Sequence, residues 1–198
     1  MAQIVEPDSE LPIERHPWPP FMPANAKVLF LGTFPPAEHR WSMDFYYPNP
    51  TNDFWRIMGL LFCGDKNALW LSELKQFDLD AIKTLMARKG IALNDTARAV
   101  RRLKGNASDK FLEIVEPVII SDLLAQIPDC HDVVATGEKA AGVVADQLGV
   151  DIPKMGHSVA SDSGITLWRM PSSSRAYPLS LEKKAACYEV VLRAVGCL

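Results

Sequence analysis

The sequence has no surplus of positive charge, no closely spaced cysteine pair and no long apolar run, and each absence argues against a class of protein. Lysine and arginine number 21 against 24 aspartates and glutamates, a formal net charge of -3. That balance counts against a protein that binds nucleic acid through its whole surface. Counterion release depends only on the cations that touch phosphate. Local basic groups therefore still matter: Arg98, Arg101, Arg102 and Lys104, then Arg169 and Arg175, then Lys183 and Lys184. Such clusters read equally well as solvated faces. The four cysteines, Cys63, Cys130, Cys187 and Cys197, are scattered without a CxxC pair, which argues for reduced thiols and against structural zinc or a cysteine-held cluster. No run of about 18 apolar residues occurs. The opening MAQIVEPDSELPIERHPWPP has neither a basic n-region nor an apolar h-region, so no membrane span or secretory signal is expected and the expected location is cytoplasmic. The P-loop and G-x-G-x-x-G fingerprints are missing, which disfavours nucleoside triphosphates and dinucleotides. His157, Asp162 and the serines of GHSVASDSG have the composition of a hydrolase triad, but without a G-x-S-x-G elbow His157 reads as a surface histidine.

What is present is apolar and regularly spaced. A chain of 198 residues, 48% hydrophobic and 23% charged, can bury one substantial core. The expectation is one domain over residues 1–198, with residues 1–26, rich in proline and acidic groups, as an extended arm. Four short apolar runs, KVLFLG from Lys27, GIALND from Gly90, DVVATG from Asp132 and ITLWRMP from Ile165, alternate with segments of helical character, the pattern of a parallel sheet. Helical periodicity is read over Asn52 to Phe62, over Ser72 to Arg88 with Leu74, Phe77, Ile82, Leu85 and Met86 as the apolar stripe, and through GEKAAGVVADQLG. A final helix is expected after Ser180, a good N-cap, and ends before Gly196. Right-handed crossovers place helices on both faces of such a sheet, giving an α/β fold of three layers, a four-stranded parallel α/β/α sandwich.

Two segments carry the chemistry. In the first, Gly32-Thr33-Phe34-Pro35-Pro36 follows an apolar strand, and a glycine with two prolines makes a tight turn able to aim backbone N–H groups at a ligand. Tyr46, Tyr47, Phe54 and Trp55 then cluster around Asn52 and Arg56, a mixture suited to stacking a planar base while an amide reads its edge. The same residues also suit a packed helix start with Asn52 as N-cap. In the second segment, Ser172, Ser173, Ser174, Arg175 and Tyr177 follow the last predicted strand. These supply hydroxyls and a cation for phosphate, or form a plain serine-rich turn.

Taken together, GTFPP with FYYPNPTNDFW, and RMPSSSRAYP, resemble the active-site motifs of the uracil-DNA glycosylase superfamily, most nearly its hypoxanthine-DNA glycosylase and mismatch-specific uracil glycosylase branches. The resemblance covers roughly residues 27 to 195. It implies the strand order 2-1-3-4, with the loops after the first and last strands forming the site. It implies hydrolysis of the N-glycosidic bond of a flipped deaminated base, hypoxanthine or uracil, in DNA containing deaminated or mismatched bases. Asn52 and Thr33 are the catalytic candidates; Gly32, Phe34 and Tyr47 the base-binding ones; Ser172, Ser173, Ser174, Arg175 and Tyr177 the DNA-binding ones. No metal or cofactor is called for, and a monomer is favoured. The close cysteine pair of the iron–sulfur branches is absent. In the intermediate segment GIALNDTARAVRR-LK-GNASD, Asp95 matches a family aspartate, or caps a following helix. Gly137 and Lys139 match the family's third-strand turn. Two positions depart from the pattern: Phe34 stands where many uracil glycosylases carry Asp or Asn, and Met170 where other branches carry His. These departures leave a second reading open, a noncatalytic DNA- or nucleobase-binding protein that kept the pocket.

Overall fold

The structure, a computed structural model, describes residues 11–104 and 109–198. In chain order its elements are β1 (Ile13–Arg15), β2 (Val28–Gly32), α1 (Phe54–Cys63), β3 (Trp70–Leu71), β4 (Gln76–Phe77), α2 (Leu79–Lys89), β5 (Ile91–Asp95) and β6 (Ala97–Arg102). These are followed by β7 (Leu112–Pro117), α3 (Ile120–Leu124), β8 (Asp132–Thr136), α4 (Glu138–Leu148), β9 (His157–Ala160), β10 (Thr166–Met170) and α5 (Leu181–Ala194).

The central sheet runs β5-β2-β8-β10-β9. Its first four strands pair in parallel, and β9 pairs antiparallel with β10 at the edge. The sheet is thus five-stranded, a correction to the four strands expected. The added edge strand, His157-Ser158-Val159-Ala160, is mostly exposed and polar, so it shows none of the apolar run that marks a buried strand. The parallel strands are apolar on both faces because both are covered. Val28 and Phe30 of β2 pack with α1, α2 and α5, whereas Leu29 and Leu31 pack with α3 and α4.

Two further expectations fail locally. The stripe read over Ser72 to Arg88 begins too early, because Trp70–Leu71 and Gln76–Phe77 form a small antiparallel pair. Asp78 then starts α2 by accepting the Ala81 N–H at 3.0 Å, and Leu74 lies exposed in the turn. The helix expected after Asp95 is instead β6, which pairs antiparallel with β1 and β7 in a second, three-stranded sheet. Within the arm read over residues 1–26, Ile13–Arg15 is therefore a strand, while residues 1–10 lie outside the described residues. So do Gly105 to Ser108 of the GNASD segment.

Candidate functional site

The loops leaving β2, β5, β8 and β10 converge on one crevice of about 1120 Å³, at the carboxyl ends of the parallel strands where open α/β sheets bind ligands. Both sequence motifs line it. Gly32, Thr33, Phe34, Tyr47, Asn52, Ser172, Ser173, Ser174, Arg175 and Tyr177 all contribute to its wall.

Tyr47 is built to stay in place. Its backbone adopts a left-handed φ of 52°, a strained conformation for a residue with a side chain and one that clusters at functional sites. Its ring stacks on Phe54 with centroids 3.8 Å apart and planes 9° from parallel. The Tyr47 hydroxyl donates to Thr136 Oγ1 at 3.0 Å, and Thr136 in turn donates to Leu31 O at 3.3 Å. Burial, then the nearby Asp95 carboxylate, pushes this phenol well above its usual value, so it stays neutral. Tyr46, its neighbour, is core. It is fully buried and donates to Asn94 Oδ1 at 2.8 Å.

Gly32 is required by close approach. A Cβ there would lie 2.4 Å from Asp95 Oδ1 and 3.4 Å from the Tyr47 hydroxyl. Asp95 has no freedom to retreat, because its Oδ2 accepts from His16 Nε2 at 2.8 Å. Gly32→Ala is therefore expected to lose about 1–3 kcal/mol of stability through overpacking and to misplace Tyr47. Thermal melting together with ligand binding in the crevice checks this; an unchanged melting temperature would contradict it.

Asn52 joins the two motifs. It forms an antiparallel bridge with Ser174, and its Oδ1 accepts the Phe54 N–H at 2.9 Å. The cap geometry read in the sequence is thus present, although formally Asp53 occupies the N-cap of α1. One Oδ1 lone pair remains for another donor. Asp53, buried, accepts from Lys184 Nζ at 3.0 Å and from Arg175 Nε at 3.1 Å, while its N–H donates to Ser173 O at 2.8 Å. Lys184 also donates to Ser174 O at 2.8 Å and is 0% exposed. Its expected place in a surface basic group is corrected: it is an internal tie between the motifs.

The second motif divides by burial. Ser173 is 2% exposed, above the buried Tyr188 phenol, which donates to Pro171 O at 3.0 Å. Ser172 Oγ accepts the Ser174 N–H at 3.2 Å and Ser174 Oγ the Ala176 N–H at 3.3 Å. Arg175 is half exposed, and the Tyr177 hydroxyl reaches Met155 Sδ at 3.1 Å. Met170 is fully buried in the core. Phe34 packs edge-on against His16 and beside the small cluster of Ala97, Val100 and Leu112. The basic group on β6 is matched by acids: Arg102 pairs with Glu14, Arg101 with Glu113 and Arg98 with Glu116.

Sequence reasoning missed His16 and Asp109. His16 sits in a proline-rich segment without periodicity, and Asp109 follows a polar loop. Thr33 Oγ1 donates to Asp109 Oδ2 at 2.8 Å, and burial, opposed by this hydrogen bond, pushes the Asp109 carboxyl above its usual value. Among the described residues no group of three or more His, Cys, Asp or Glu side chains is arranged to hold a metal. No described helix is long and apolar enough to cross a membrane.

The fold is thus a mostly parallel α/β sheet whose carboxyl ends carry a crevice walled by Tyr47, stacked on Phe54, and by a serine-rich loop. No protein-family model matches the chain. A hypoxanthine DNA glycosylase of Methanosarcina barkeri is 29% identical over 130 residues, 65% of this chain and 74% of that protein. The NMR structure of a candidate uracil DNA glycosylase from Methanosarcina acetivorans shares the fold, with a TM-score of 0.64 over 93% of this chain and 99% of that one, at 23% identity. These similarities bear out the resemblance to the uracil-DNA glycosylase superfamily.

Proposed function

We propose that this chain is a monofunctional DNA glycosylase that draws a deaminated base, hypoxanthine or uracil, from the DNA stack into the crevice and hydrolyses its N-glycosidic bond. The observation that supports this most is Tyr47, held in a left-handed backbone, backed by Phe54 and pinned through Thr136 beside Asn52. One ring face is covered by Phe54, and the other is the platform for the flipped base. The breaking bond leaves positive charge on the sugar and negative charge on the base, so a water-positioning acceptor and donors aimed at the base are the groups required. Asn52 Oδ1, already oriented by Phe54, is the acceptor. Backbone N–H groups of the Gly32-to-Pro36 turn face the base. The reading calls for no metal or cofactor, and Lys184, committed to Asp53, supplies no Schiff base.

Arg175 carries the phosphate contact in this reading, its guanidinium held by Asp53 and by Pro50 O at 3.3 Å. Arg175→Ala is expected to reduce the slope of log affinity against log salt for duplex DNA by about one contact. Because the pair is half exposed, its loss costs at most about 1 kcal/mol of stability. A folded variant with an unchanged salt slope removes Arg175 from the interface.

Phe34 and Met170, apolar where related sites are polar, favour the second reading of a noncatalytic nucleobase-binding protein. Duplexes carrying hypoxanthine, uracil or xanthine separate the two. The glycosylase releases free base and leaves an alkali-labile site, whereas binding without release supports the second reading.

A further inference from the structure

Three carboxylates line the crevice, and their partners distinguish them. Glu138 pairs with Arg169 at 3.0 Å, and Asp95 with His16 at 2.8 Å. Among the described residues Asp109 has no ion pair on its side chain. Its Oδ2 accepts from Thr33, and its Oδ1 has no protein partner among the described residues. Its backbone is fixed: Lys139 Nζ donates to Asp109 O at 2.7 Å and also to Leu112 O. A carboxylate in the wall of a ligand crevice, oriented through one oxygen and with the other unpartnered among the described residues, has the arrangement of a general base.

We propose, resting on the glycosylase reading above, that Asp109 is a catalytic residue that accepts the proton of the attacking water, with Thr33 as its positioning residue. The water oxygen bonds to C1′ as the C1′–N bond breaks, and the base leaves with the bonding electron pair. The water proton passes to Asp109 Oδ1 and then to the departed base or solvent, which restores the carboxylate. The same negative charge stabilises the cationic sugar in the transition state. Asn52 fixes the position of the water, and Asp109 takes its proton.

The charged and titratable groups facing Asp109 are Asp95 from the end of β5, Arg102 from β6, Lys139 from α4 and the Tyr47 phenol. Burial is the largest influence and raises its pKa; the Thr33 hydrogen bond lowers it. The base-release rate therefore falls on the acid side as Asp109 protonates. Between its unfolded and its raised folded value the native state loses stability as pH rises, because it must surrender the proton in a desolvated place.

Single-turnover base release against pH tests the assignment in the wild type, Asp109→Asn and Thr33→Val. Asp109→Asn is expected to slow release by about 10²-fold or more, to lose the acid limb, and to melt at an unchanged or higher temperature. Thr33→Val removes the donor to Oδ2, so its acid limb moves to higher pH. An Asp109→Asn protein with the wild-type rate, or one that keeps the acid limb, overturns the assignment while the glycosylase reading stands. If that variant fails to fold, an unmoved acid limb in Thr33→Val overturns it instead. A wild type that releases no base at any pH overturns both.

Discussion

Asn52→Ala is expected to slow single-turnover base release by about 10²-fold or more while leaving affinity for abasic DNA little changed. The variant removes a structural bond and, in the proposed reading, a catalytic one. Its Oδ1 holds the Phe54 N–H at the start of α1, and loss of such a cap costs about 1 kcal/mol. Asn52 also lines the crevice, where the proposed reading gives the remaining lone pair of that oxygen the attacking water. The two tasks separate in Asn52→Asp, which keeps an acceptor for Phe54 and for water. That variant should melt near the wild type and retain more activity than the alanine variant. If Asn52→Ala were destabilised by the cap energy alone and released base at the wild-type rate, Asn52 would be a structural residue and no more.

Lys184→Met is expected to produce the largest loss of stability, about 3 kcal/mol, the lower end of the range for breaking a buried ion pair because Arg175 still faces Asp53. For a chain of this size that corresponds to roughly 6–12 °C in melting temperature. The loss comes mainly from Asp53, left buried with one half-exposed partner, while Ser174 O keeps only the Tyr177 N–H as donor. Because Asp53 and Lys184 tie the start of α1 to the second motif, base release should fall as well. Adding Asp53→Asn removes the stranded charge, so the double variant should regain part of the lost stability. A Lys184→Met protein as stable as the wild type would contradict the buried tie.

The parallel strands were legible because burial on both faces writes a run of apolar residues, as in Val28–Gly32 and Asp132–Thr136. Gly137 was legible for a local reason: its φ of 124° lets the chain turn from β8 directly into α4. Segments whose structure depends on distant partners were not legible. Ala97–Arg102 carries arginines on a strand because Glu14, Glu113 and Glu116 come from β1 and β7 to meet them. Asp95 looks like a helix cap until His16 is brought against it from 79 residues away. Lys184 reads as a solvated cation beside Lys183, and only the fold brings Asp53 to it across 131 positions. The two motifs were visible as loops because glycine, proline and serine mark them locally. Their division into exposed and buried members, such as Arg175 against Ser173, depends on α5 packing beneath.

Incubating the protein with a hypoxanthine- or uracil-containing duplex in water enriched in heavy oxygen, and weighing both products by mass spectrometry, tests hydrolysis at the crevice most directly. The account predicts free base together with an otherwise intact strand whose abasic sugar carries one heavy oxygen, with the yield abolished or sharply reduced in Asn52→Ala. Intact substrate after prolonged incubation with bound protein, or a strand cleaved at the lesion with a protein adduct trapped by borohydride, would contradict it.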